Sequence, residues 1–92
     1  MKHIELHEYL EEFSNELCDA LNRCRDGDDF SYLVEECVDL NKGVLSCFQV
    51  AEIKRAIRLA VSGSYSHLVE GDRLETRKMI WCYVEAALKE AA

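Results

Sequence analysis

The chain has 92 residues, 49% hydrophobic and 32% charged, and its formal net charge is −7. That balance describes one globular core, too apolar for a disordered chain and too polar for a bilayer. No apolar run approaches the ~20 residues of a membrane helix, the acidity repels nucleic-acid phosphates, and a chain of this size buries only about 60–65% of its extended surface, which leaves self-association open.

The first element is expected over about residues 4–25. Leu6, Leu10, Phe13, Leu17, Ala20 and Cys24 recur at steps of four and three, the spacing that keeps side chains on one helical face. Projected at 100° per residue, Glu5, Glu8, Glu12, Glu16 and Asp19 fall within an arc of roughly 80° away from that seam and span roughly 21 Å of helix. Until Arg23 no Lys or Arg stands three or four positions along this row. The like-charged pairs Glu8/Glu12 and Glu12/Glu16 should each cost about 0.2–0.5 kcal/mol in an isolated helix. The helix dipole offsets acids only in the first turn, so Glu16 and Asp19 gain nothing from it.

Asp26-Gly27-Asp28-Asp29 is a run of turn formers, with Asp28 or Asp29 placed to cap a second helix over about 30–42. Phe30, Leu33, Val34, Cys37 and Leu40 give its inner face, Glu35, Glu36 and Asp39 lie outside it, and Gly43 is a stop signal. Ser46 with Gln49 reads as a capping box, and Leu45 with Val50 as a hydrophobic staple, for a third helix over about 47–61. Its buried side is expected at Val50, Ile53, Ile57, Ala60 and Val61, with Lys54, Arg55 and Arg58 outward. Ser62-Gly63-Ser64 ends it, and 65–71 reads as a loop with room for a single helical turn. Asp72 with Glu75 is a second capping pair, opening a fourth helix over about 73–90 with Ile80, Trp81, Val84, Ala87, Leu88 and Ala91 inward. Trp81 is the largest packing element in the chain.

With no proline and no alternating strand pattern, the expectation is an all-α fold: a small four-helix bundle or an irregular helical bundle, as a single domain over 1–92. Charge is shared unevenly along it. Residues 1–45 carry four basic and twelve acidic side chains, and residues 46–92 seven and six.

Candidate chemistry is thin. His3, His7 and Glu11 at i, i+4 and i+8 share a helical side, but a metal site wants a ligand from another element and no such ligand is identifiable, so they read as surface residues. His67 stands near Ser62, Ser64 and Ser66 without a nucleophile elbow, which reads as turn chemistry. The five cysteines (Cys18, Cys24, Cys37, Cys47 and Cys82) are odd in number, lack a CxxC pair and sit mostly in apolar patterns, as reduced thiols do. The four glycines punctuate helices and form no phosphate loop. The expectation is a chain that is not an enzyme and has no cofactor and no metal. Helices two and three with Lys54, Arg55 and Arg58 bear a surface likeness to a helix-turn-helix, but Asp39 stands four residues before Gly43, where a small residue is wanted. The three cations are expected to pair with the acidic helices or to form a small mixed surface.

Protein–protein recognition remains. Acids at intervals of about 4.5–6 Å along a helix resemble in character the phosphate row of a nucleic-acid strand. Glu5, Glu8, Glu12, Glu16 and Asp19 are therefore the expected partner-binding residues, and the partner a basic surface, such as that of a nucleic-acid-handling enzyme, with no nucleic acid bound directly. In size, acidity and lack of catalytic motifs the chain is similar in type to small phage-encoded inhibitors of host defence, including anti-CRISPR and anti-restriction proteins, which implies competitive inhibition. The alternative is a homodimeric accessory or regulatory subunit without mimicry, in which a second copy covers Tyr9, Phe48, Met79 and Tyr83. Met1-Lys2-His3-Ile4-Glu5 turns acidic where a signal peptide needs an apolar stretch, so a cytoplasmic location is expected.

Overall fold

The computed structural model describes residues 6–69 and 72–91, and these form an all-α bundle. The described helices are α1 (Leu6–Arg23), α2 (Gly27–Leu45), α3 (Val50–Gly63) and α4 (Arg73–Ala91), with a single 3₁₀ turn at His67–Val69. Helix α1 packs against α2 and α3, and α4 packs against the same two, whereas α1/α4 and α2/α3 are diagonals with little contact. The α1/α2 and α3/α4 seams therefore lie on opposite edges of the bundle. The weak α2/α3 contact also removes the helix-turn-helix likeness, which requires the two consecutive helices to brace each other.

One cluster forms the core. Phe13, Leu17 and Leu21 enter it from α1, Val34, Val38 and Leu45 from α2, Ile53, Ile57 and Val61 from α3, and Ile80 and Val84 from α4, each fully buried or nearly so. Ser14 is buried among them and its hydroxyl donates to the Ala56 carbonyl at 3.1 Å, which satisfies the group and fixes α1 against α3. Phe13 is the largest fully buried side chain; Trp81, expected in that role, is half-buried at the edge.

Several local expectations are overturned. Asp26, rather than Asp28 or Asp29, caps α2: its Oδ1 accepts from the Asp29 amide at 2.9 Å, and Asp29 Oδ2 accepts in turn from the Arg25 amide at 3.1 Å. Gly43 does not stop α2, which runs on to Leu45. A mid-helix glycine costs about 1 kcal/mol relative to alanine, but the two further residues place Leu45 at 0% exposure, and full burial of a leucine contributes about 1.5–3 kcal/mol. Burial outweighs propensity. Ser46 then serves the end of α2, its hydroxyl donating to the Gly43 carbonyl at 2.8 Å, and the Ser46/Gln49 capping box does not form. Gln49 takes the N-cap position of α3 with no side-chain bond, and Val50, the supposed staple, is 50% exposed because it precedes the first inward turn of α3 at Ile53.

Leu40 is likewise 78% exposed rather than inward. It lies roughly 110° around α2 from the centre of the buried stripe formed by Phe30, Val34, Cys37, Val38 and Leu45. The start of α4 is as expected: Asp72 Oδ1 accepts from the Glu75 amide at 2.9 Å. No described helix is long and apolar enough to cross a membrane.

Candidate acidic interface

The seam of α1 is inside and its acidic row is outside. Glu8, Glu12, Glu16 and Asp19 are all exposed, while Glu5 lies outside the described residues. Among the described residues Glu8 and Glu12 have no cation within 4.0 Å. Glu16 accepts from the neutral amide of Asn41 on α2 at 2.9 Å, a bond that orients the carboxylate without discharging it. Asp19 meets Arg23 at 3.6 Å, with the two side chains 72% and 63% exposed. A pair this wet at i,i+4 contributes about 0.3–0.5 kcal/mol and leaves the carboxylate accessible.

The fold adds what one helix could not display. Because α2 packs beside α1, Glu16, Asp19 and the cation Arg23 line one wall of a groove of about 240 Å³ whose other wall carries Leu33, Glu36 and Leu40. Asp39 on the same helix is held by Lys42 at 3.7 Å, and Lys42 also reaches Glu90 on α4 at 3.7 Å. Across the described helices, α1 and α2 carry ten carboxylates against two cations, and α3 and α4 four against seven. The expected pairing of Lys54, Arg55 and Arg58 with the acidic helices does not occur: none has a carboxylate within 4.0 Å among the described residues, and Lys54 instead sits 4.8 Å from the centroid of the Trp81 ring.

The other candidates resolve into structure. His67 Nε2 is 2.8 Å from the Arg25 carbonyl and has no serine on its ring. Ser64 and Ser66 are buried and hold the loop, Ser64 donating to Asn22 Oδ1, which also accepts from the Tyr65 amide. Asn22 thus joins α1 to the 64–66 loop, a role that nothing in its sequence neighbourhood signals. His3 lies outside the described residues, His7 and Glu11 are exposed on α1, and no described group of three His, Cys, Asp or Glu is gathered for a metal. Burial pushes the Cys37 thiol up to about 12, with Glu16 adding to it, Arg23 opposing and Glu36 adding again. Burial raises Cys24 too, reinforced by Asp29. A thiol so shifted stays protonated and is a poor nucleophile.

Comparison with protein-family models, with curated proteins and with solved structures finds no match to this chain. The class rests on the fold: a small all-α bundle with an acidic edge.

Proposed function

We propose that the protein is a protein-binding module whose α1/α2 edge docks on a basic surface, of the kind a nucleic-acid-handling enzyme presents, and inhibits it by occupying the place of the phosphate backbone. One observation carries this reading: the described carboxylates of the α1 row all face solvent, two of them without a counterion, and α2 sets Glu36 across the groove from Glu16 and Asp19. The row alone offers about one charge per 5 Å of helix axis, against about one per 3.4 Å along a single DNA strand; the α2 carboxylates narrow that difference. Desolvating charge on both partners limits net affinity, so the main return is a fast encounter and a strong salt dependence. On this reading the protein acts in the cytoplasm, turns over nothing and belongs functionally with inhibitors of the anti-CRISPR or anti-restriction type.

Of the four side chains a second copy would cover in the homodimer reading, Tyr9 and Met79 are exposed, whereas Phe48 and Tyr83 pack on the chain's own core and the Tyr83 hydroxyl lies 3.2 Å from that of Ser31, so that reading has less support. The test is capture from a host lysate on immobilised wild-type protein and on the Glu8→Gln/Glu12→Gln/Glu16→Gln variant. A basic protein held by wild type, lost with the variant and displaced by salt or by nucleic acid is the expected result. Equal retention by both proteins would sink the proposal.

A further inference from the structure

The edge opposite the acidic one is also grooved. Helices α3 and α4 leave a groove of about 470 Å³ floored by Ile57, Leu74 and Trp81 and flanked by Lys54, Arg77 and Lys78. Three cations around an indole are unexpected in a chain of net charge −7. None of the three has a carboxylate within 4.0 Å among the described residues. Arg77 lines the groove with its charge unpaired among the described residues, and its Nε is buried and has no hydrogen-bond partner. Leu74, 54% exposed at the mouth of the groove, leaves apolar surface that an incoming side chain would cover.

We propose that this groove binds a short acidic amphipathic helix of another protein, seating one or two apolar side chains against Trp81 and Leu74 and placing carboxylates on Lys54, Arg77 and Lys78. The occupant follows from shape and charge. From Leu74 to Cys82 the groove runs along α4 for about 12 Å, two turns of helix, so anchors spaced three or four residues apart fit its floor. The open mouth between two helices accepts a third helix in the ridge-and-groove manner of the bundle itself. A long polyanion is disfavoured, since the repulsion of the acidic edge grows with every phosphate brought near; a segment bearing a few carboxylates meets the local cations at smaller long-range cost. The interaction is independent of the acidic edge.

Trp81 is the chain's one tryptophan, so its emission reports on this groove alone. The probe is an end-blocked helical peptide of about four turns, with leucines at i and i+4 flanked by glutamates. Titration is expected to shift the Trp81 emission, with affinity falling at least tenfold when the peptide's glutamates become glutamines, when its leucines become serines, or in Lys54→Gln/Lys78→Gln protein of unchanged circular dichroism. Arg77→Met, which keeps the stem and deletes the charge, should weaken the glutamate peptide more than the glutamine peptide. Glu8→Gln/Glu12→Gln/Glu16→Gln should bind the probe as wild type does. The proposal is overturned by equal binding of the glutamate and glutamine peptides, by no shift with either, by a stronger response to a single-stranded oligonucleotide or to anionic lipid vesicles, or by a shift with protein concentration alone, which would make a second copy the occupant.

Discussion

The α1/α2 edge and the α3/α4 edge enclose the same core yet face their surroundings with opposite charge. Among the described residues, the acidic side chains of one edge point into water and most lack a cation; on the other edge, cations surround half-buried apolar surface and one of them hides a donor with no acceptor. A bundle that placed these charges for its own stability would pair them across its faces. Among the described residues it does so between the two halves only at Lys42 and Glu90. The contrast teaches that burial fixes which way each helix faces, while the charge on its outer side is left unconstrained by the core.

Substitutions can break this comparison at successive levels. The largest effect should come from the shared core: Leu17→Ala removes a fully buried side chain and should destabilise the chain by about 2–5 kcal/mol in urea unfolding, abolishing both edges together. Intact binding at one edge after such a loss would show that the edges do not depend on one core. Next comes the start of the acidic edge, where Asp26→Ala should cost about 1 kcal/mol as a true N-cap while Ser46→Ala changes stability little. A larger loss at Ser46 would mean that α3 is capped there after all.

A smaller effect, and of opposite sign, is expected within the row. Glu12→Lys converts the repulsive pairs with Glu8 and Glu16 into attractive ones and should raise stability by about 0.5–1 kcal/mol while removing the binding proposed for that edge. A rise in stability with binding intact would reduce the row to a solvated face. The smallest effects near neutral pH are those of the thiols, which are felt only in alkali. Folding holds the Cys37 proton to about 12 against an ordinary 9.0, so the unfolded chain binds fewer protons in that interval. Stability is therefore full below about pH 9 and declines as the pH rises from there towards 12. Urea midpoints at about pH 8 and about pH 10.5 should converge in Cys37→Ala relative to wild type. In the native protein, alkylation should reach the exposed Cys47 and Cys82 well before Cys24 and Cys37.

Much of this architecture was legible in the residues. The steps of four and three from Leu10 to Cys24 placed the α1 seam and, with it, the outward row, because helical geometry alone separates the two. The Asp72 cap was equally readable, since its bond is local. The boundaries of α2 and α3 were not: Gly43 and Ser46 carry strong local signals, and both were overruled by a leucine that reaches the core only if the helix continues. Leu21 and Ala56 were missed on the buried faces because each helix is clasped by two neighbours, so its apolar stripe is wider than a single seam.

Neither the groove that brings Glu36 opposite Glu16 nor the one that brings Lys54 over Trp81 follows from any periodicity, for each joins residues at least 20 positions apart through the choice of neighbour around the bundle. By itself the sequence determined the helices, the seam and the sign of the charge on each half, since these depend on composition and on contacts within a few residues. Only the tertiary structure decided which helices are neighbours and which diagonals, and hence that the acids and the cations gather on opposite edges, because that choice is set by how apolar faces from distant segments fill one common core.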